Sequence, residues 1–291
     1  MPSLLASLPS GSRIAVIRLR SLGDCVLTTP ALSLLKAHRP DLKISVIVEP
    51  RFAAIFEDNP GIDEIRSSAC AADLALNLHG GTRSMLLTAA TRAPIRAGFA
   101  HHRYRFIYSH QIPRAQEIFG VERPVHTAEH LASAMFWLGV PRTEIPRARL
   151  FAAASPRDSG YTVLHPFASA PQKTWPADRF LEIARRLNPV ILAGPEDDVA
   201  PFQGFEVWKN APLARVKSLM AGAQLFLGND SGPAHVAAAF GVPVVVLFGS
   251  SNPVTWAPWR TESQVLRSPA GIAAISVDQV AAAIDALKVK A

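Results

Sequence analysis

The sequence is short of cysteine, of charge and of long apolar runs. Only Cys25 and Cys70 are present among 291 residues, and they lack metal-ligand spacing. A disulfide framework or a cysteine-based zinc site is therefore not expected, and the pair fits a reduced, cytoplasmic protein. No stretch reaches 18 consecutive apolar residues, so no membrane-spanning helix is expected. The opening "MPSLLASLPSGS" lacks the basic start and long apolar core of a secretory leader. Several nucleotide and hydrolase signatures are missing too. There is no G-x-G-x-x-G after the first apolar run, no G-x-x-x-x-G-K-[ST] and no G-x-S-x-G. The nine histidines form no H-E-x-x-H. "HTAEH" (126–130) has i, i+4 spacing but opens an apolar helical pattern, so it is read as a surface face rather than a metal pair.

What is present is a large apolar fraction, 49%, with only 18% charged residues. That composition excludes a disordered chain and allows a sizeable core. The length suggests two domains. Net charge is +7 and uneven: residues 1–150 carry 18 basic against 12 acidic residues, and residues 151–291 carry 12 against 11. A basic first half points to an anionic partner (nucleic acid, a phosphorylated lipid or an acidic sugar) or simply to a solvated surface.

Short β-branched runs alternate with longer helical patterns. Strands are expected at 13–19, 43–49, 62–68, 74–80 and 95–99. Helices are expected at 29–39, with Pro30 in the first turn, and at 51–59, 82–91 and 126–140. The segment "PRTEIPRARLFAAASPRDSG" is rich in proline, small residues and charge, and reads as an inter-domain stretch. The pattern then restarts, with strands at 161–167, 189–195, 225–230 and 243–249 and helices at 177–187, 213–223, 231–241 and 277–287. Alternation of this kind predicts parallel sheets covered by helices, here two Rossmann-like halves with a cleft between them. The expected division is 1–153 and 154–291, the last helix being free to pack back on the first half. Ligands bind such sheets at the carboxyl ends of the strands.

Five polar clusters fall at those ends. "SLGD" (21–24) places Asp24 after a glycine turn, either as a helix cap or as a carboxylate facing the cleft. "LGNDSGPAHVAAAFGVP" (227–243) runs a strand into a helix start. There Asp230, Ser231, Gly232 and His235 either cap and pack, or serve a diphosphate at the helix N-terminus. Ser169 and Lys173 lie in the loop "HPFASAPQKTWPADRF", where a lysine can neutralise a leaving diphosphate. Glu196 in "LAGPEDD" suits sugar hydroxyls or sits in a solvated acidic loop. The fifth cluster, 91–114, has five arginines, three histidines and no acid, with Phe99, Tyr104, Phe106 and Tyr108 interleaved. Such a stretch suits nucleic acid, an acidic glycolipid at a membrane surface, or a solvated loop.

On these residues the chain resembles glycosyltransferase family 9, the ADP-heptose:lipopolysaccharide heptosyltransferases. The resemblance is carried by "IAVIRLRSLGDCVLTTPALSLLKAHRPDLKISVIVEPRFAAIFEDNPGIDEI", "LNLHGGTRSMLLTAATRAPIRAGF", "HPFASAPQKTWPADRF", "LAGPEDD" and, most specifically, "LGNDSGPAHVAAAFGVPVVVLFGSSNP". It implies an α/β, GT-B fold of two Rossmann-like domains, the first for acceptor and the second for donor. The activity it implies is metal-independent, inverting transfer of heptose from ADP-heptose to the inner core of lipopolysaccharide, onto a Kdo or heptose acceptor, with no cofactor. Asp24 is then the general base. Ser169, Lys173, Glu196, Asp230, Ser231, Gly232 and His235 bind donor, and Arg18, Arg20, Arg96, Arg103 and Arg105 face the acidic glycolipid acceptor. The expected location is cytoplasmic, peripheral at the inner face of the inner membrane, without nucleic acid as partner; cleft closure would exclude water. Two other classes stay open: a nucleotide-sugar epimerase or hydrolase on the same fold, and a non-catalytic module binding anionic glycans.

Overall fold

The computed structural model describes residues 3–153 and 160–288. The chain divides into two compact units, Met1–Phe151 and Ala152–Ala291. The sequence boundary at 153/154 abuts residues 154–159, which lie outside the described residues.

In the first unit the elements run β1 (Arg13–Ile17), α1 (Leu22–His38), β2 (Lys43–Ile47), β3 (Glu64–Arg66), β4 (Leu74–Asn77), α2 (Thr82–Ala90), β5 (Ile95–Phe99), β6 (His110–Ile112), α3 (Ala115–Phe119) and α4 (Thr127–Leu138). All six strands pair in parallel, in the order β3-β2-β1-β4-β5-β6. β1 and β4 lie in the middle, and Ile14, Ala15, Val16, Ile17, Leu74, Ala75 and Leu76 are fully buried. A parallel strand covered on both faces needs such an unbroken apolar run.

The second unit repeats the plan with β7 (Tyr161–His165), α5 (Ala177–Leu187), β8 (Val190–Ala193), β9 (Glu206–Lys209), α6 (Leu213–Ala221), β10 (Ala223–Asn229), α7 (Gly232–Phe240), β11 (Val244–Phe248), α8 (Pro253–Trp256), β12 (Ser263–Arg267) and α9 (Val277–Lys288). Its order, β12-β11-β10-β7-β8-β9, is the same 3-2-1-4-5-6 arrangement met in dinucleotide-binding folds. α9 buries Val280, Ala283, Ile284 and Leu287 in this unit's own core, beside Trp175, Phe180 and Val245.

Two local expectations are corrected. Residues 50–55 form a 3-10 helix where an α-helix was expected over 51–59. α1 begins at Leu22, so Pro30 sits inside the helix and not in its first turn. A proline there leaves the carbonyl four residues back without its usual N–H donor. Thr29 meets that need: its hydroxyl donates to the Val26 carbonyl at 2.8 Å.

Candidate active site

In each unit the strand order reverses between the first strand and its inner neighbour. The crevice at that point is where open α/β sheets hold ligands. The loops after β1 and β4 form it in the first unit, and the loops after β7 and β10 in the second.

β1 ends at Ile17, so Arg18 and Arg20 follow the strand and do not share a face. Arg18 is turned inward and only 7% exposed; Arg20 is exposed. The Arg20–Ser21 peptide is cis. Asp24 stands in the first turn of α1 and does two jobs. Its Oδ2 accepts from the Ser21 backbone N–H (3.3 Å) and hydroxyl (3.0 Å), closing a capping box. Its Oδ1 accepts from Arg18 Nη1 at 3.3 Å. A carboxylate offers about four lone-pair sites, and the Asp24 side chain keeps 24% of its surface open. Capping thus fixes the carboxylate without covering it. Burial pulls the Arg18 guanidinium down from its ordinary value while Asp24 pushes it up. Next along, burial lifts the Cys25 thiol to about 12, which keeps it protonated and unreactive.

The loop after β4 is shaped by a residue the sequence reading overlooked. Asn77 is fully buried; its Oδ1 accepts from the backbone N–H groups of His79 (2.9 Å) and Gly80 (3.0 Å). Its Nδ2 donates to Ser84 and Thr88 on α2. Gly80 has φ +86°, and a Cβ there would strike the His102 ring at 2.6 Å. Burial, with Arg18 and Arg20 nearby, holds His79 below its ordinary value. His102 Nδ1 lies 3.1 Å from the Tyr108 hydroxyl, and His130 stacks on Phe99 with ring centroids 4.1 Å apart. Burial, followed by neighbouring positive charge, depresses His102 to about 3 and His130 to about 4. "HTAEH" is therefore not a surface face. His126 is buried as the cap of α4, its Nδ1 accepting from Ala128 N–H at 3.1 Å, and His130 belongs to this ring cluster.

A second carboxylate, Glu49, also stands at a strand end of this sheet. It pairs with Arg51 (2.9 Å) and Arg83 (3.4 Å), so it is engaged by two guanidinium groups. The arginines of the basic stretch divide. Arg96 braces a loop, its Nε donating to the Ile107 carbonyl (2.8 Å) and Nη1 to that of Ala93 (2.9 Å). Arg103 and Arg105 are exposed.

In the second unit the geometry centres on the start of α7. Lys173, in a short 3-10 turn, places Nζ 3.5 Å from Asp230 Oδ2. Asn229, which stood in the quoted cluster without a role of its own, fixes that turn. It is fully buried, donates to the Pro166 carbonyl (3.0 Å) and accepts from the Trp175 backbone N–H (3.0 Å). Gly249 explains the glycine after β11, because a Cβ there would collide with the Gln172 carbonyl. Ser231 is the N-cap residue of α7, but its hydroxyl donates to the Asn229 carbonyl (3.1 Å) and makes no cap bond. The helix start thus keeps its positive dipole end without a side-chain cap. His235 is buried one turn in, its ring 6.3 Å from that of Trp256. Glu196 is exposed in the turn after β8. Ser169 lines an open depression of about 460 Å³ with Thr174, Trp175 and Pro176, whose lining includes neither Lys173 nor Asp230. Among the described residues no group of three or more His, Cys, Asp or Glu side chains could hold a metal ion, and no helix is long and apolar enough to cross a membrane.

A family model for glycosyltransferase family 9 (heptosyltransferase) matches residues 66–281, beginning after the Asp24 loop. The chain is 28% identical over 284 residues to lipopolysaccharide heptosyltransferase 3 of Escherichia coli strain K12, spanning 81% of this chain and 82% of the relative. A glycosyl transferase family 9 structure from Veillonella parvula superposes with a TM-score of 0.86 at 23% identity, covering 97% of this chain and 98% of that one. The E. coli ADP-heptose lps heptosyltransferase II superposes at 0.80 with 19% identity, covering 96% and 99%. The likeness to these structures shows the fold, the α/β architecture of heptosyltransferase GT-B structures.

Proposed function

The chain belongs to glycosyltransferase family 9 and is a glycosyltransferase, and from that premise we propose that it moves heptose from ADP-heptose to an acidic inner-core glycolipid of lipopolysaccharide. The observation that carries this reading is the pairing of Lys173 Nζ with Asp230 Oδ2 at 3.5 Å, one residue before Ser231, the N-cap residue of α7, whose side chain makes no cap bond. A diphosphate needs positive charge and free N–H groups, and this corner offers both.

In the reaction we propose, an acceptor hydroxyl attacks the anomeric carbon of the donor sugar from the face opposite the leaving group. The bond from that carbon to the diphosphate oxygen breaks, ADP departs, and the configuration inverts. Asp24 takes the hydroxyl proton late, as the new bond forms and the hydroxyl becomes acidic. A positioned base contributes roughly a hundred- to ten-thousand-fold. Ser21 and Arg18 hold that carboxylate in one orientation. Charge growing on the departing diphosphate is met by Lys173 and by the backbone N–H groups at Ser231 and Gly232. One such donor is worth about 3–4 kcal/mol of barrier. No metal enters this scheme. Asp230 keeps Lys173 aimed at the helix start; Glu196, Ser169 and His235 are assigned to the nucleoside and sugar. On the acceptor side, Arg20, Arg103 and Arg105 present charge to the acidic glycolipid, while Arg18 and Arg96 act through Asp24 and the loop backbone. The lipid acceptor implies peripheral contact with the membrane from the cytoplasmic side.

The test is ADP release from ADP-heptose, with Kdo-terminated, heptose-terminated or no acceptor, in excess EDTA. Release that needs acceptor and ignores EDTA is expected. Release without acceptor would make the enzyme a hydrolase, the reading to which Glu49 lends a second carboxylate. Silence with every acceptor would sink the donor assignment.

A further inference from the structure

From Leu74 to Gln116 the sequence has six arginines and no aspartate or glutamate. Within that run lie the two most exposed large apolar side chains among the described residues, Phe106 at 75% and Leu86 at 60%. Phe106 sits in a 3-10 turn (Arg105–Ile107) between β5 and β6. The turn is fastened to α2: the Tyr104 hydroxyl lies 2.8 Å from that of Thr82. Leu86 stands one helical turn beyond Thr82 on the same face. The Tyr104 ring meets Phe106 edge-on at 6.3 Å, and the Arg103 guanidinium lies 5.4 Å from the Tyr104 ring centre. From below, Arg96 pins the turn through the Ile107 carbonyl. The apolar tip is therefore held outward by specific bonds, with the exposed Arg103 and Arg105 beside it in the chain.

An exposed phenylalanine in an arginine-rich, acid-free stretch has few suitable partners. A second copy of this face would bring like charges together, and two apolar side chains fall far short of the roughly 800 Å² per partner that a stable interface buries. A bilayer with anionic headgroups satisfies each part. Aromatic and aliphatic tips enter the headgroup–acyl boundary, tyrosine sits at the interface, and each arginine near an anionic surface strengthens binding by about fivefold.

We propose that the Arg103–Phe106 turn, together with Leu86, is the surface by which this protein docks on an anionic lipid bilayer. The proposal rests on the reading above in one respect, that the acceptor is anchored in lipid. Docking through this turn would concentrate the enzyme at its acceptor.

The experiment is co-sedimentation of the full chain with vesicles of phosphatidylcholine alone or enriched in phosphatidylglycerol. Wild type should bind the anionic vesicles, lose binding as salt rises, and ignore the neutral ones. The double variant Phe106→Ser, Leu86→Ser should lose about tenfold or more of its vesicle partition. It should keep its melting temperature, and its transfer to a soluble, deacylated acceptor should stay at the wild-type rate. Failure of wild type to bind anionic vesicles would overturn the proposal. So would a double variant that binds as wild type, or a dimer of wild type that the double variant dissolves, since that would make the patch a protein interface. Vesicle binding that depends on Phe106 and Leu86, alongside no transfer from ADP-heptose to any acceptor, would leave the docking surface standing and remove the functional reading instead.

Discussion

Arg18 Nη1 and Asp24 Oδ1 lie 3.3 Å apart, and the arginine is the more buried of the two. The carboxylate is thus approached from beneath by a fixed cation, and its remaining surface faces outward. Removing the partner should unseat it. Arg18→Met fills the same space without the charge and is expected to lower turnover at least tenfold. Loss of one member of a buried ion pair costs about 3 kcal/mol, so the melting temperature should fall as well. Steady-state kinetics and calorimetry read the two effects. A variant with normal kcat would show that Arg18 has no part in aiming Asp24.

Asp24→Asn keeps the shape of the capping box and removes the base. We expect kcat to drop by roughly a hundred- to ten-thousand-fold with ADP-heptose affinity little changed, while the melting temperature falls because the buried Arg18 loses its carboxylate partner. Titration calorimetry with the donor checks the affinity; near-normal turnover would take the proton-accepting role away from Asp24.

Lys173→Met should act on the other half of the reaction. Its loss removes the cation beside the α7 start, and we expect kcat to fall by about a hundredfold or more and ADP to bind more weakly. ADP affinity equal to wild type would argue that Lys173 serves Asp230 alone.

Gly249→Ala tests the donor loop without touching a charged group. The new methyl would collide with the Gln172 carbonyl and push the Lys173 turn away from α7. Overpacking of this kind costs about 1–3 kcal/mol. Urea unfolding and ADP affinity should both report it, and an unchanged ADP affinity would show that the turn need not be fixed.

The ring cluster of the first unit should make the fold acid-sensitive. His102 and His130 are held to about 3 and about 4, well below the ordinary 6.5, first by burial. Below pH 6.5 the unfolded chain binds protons that the folded chain refuses, so stability falls as pH drops from about 6.5 toward 4. It is fully present above pH 6.5. His130→Phe retains a ring against Phe99 and removes one titrating group. The urea midpoint of this variant should change less between pH 7 and pH 5 than that of wild type; an equal change would place the acid sensitivity elsewhere.

The central strands were legible because strands buried on both faces are apolar without interruption. β6, β9 and β12 were missed for the opposite reason. Each is a sheet edge, short and partly exposed, and "HQI", "EVWK" and "SQVLR" carry no such run. Asp24 and Lys173 stood out as charges in loops after apolar strands. Asn77 and Asn229 did not, since an amide inside a strand run resembles any other interruption. Yet they occupy matching places, each the last residue of the strand beside its unit's first strand, and each ties down a loop of the site. Which of Arg18 and Arg20 meets Asp24 stayed open in the sequence because β1 stops one residue before Arg18, so strand alternation gave no guide to where that side chain turns.

The Trp175 indole N–H donates to the Ile275 carbonyl at 2.9 Å, across 100 residues of chain, and Arg179 donates to the same carbonyl at 2.8 Å. Trp175 in turn holds the loop that carries Lys173, through its backbone bond to Asn229. The segment around Ile275 is thereby a tether on the loop that carries Lys173. Strain on it would reach the Lys173 loop directly, whereas cutting back α9 would also take Val280, Ala283, Ile284 and Leu287 out of the core.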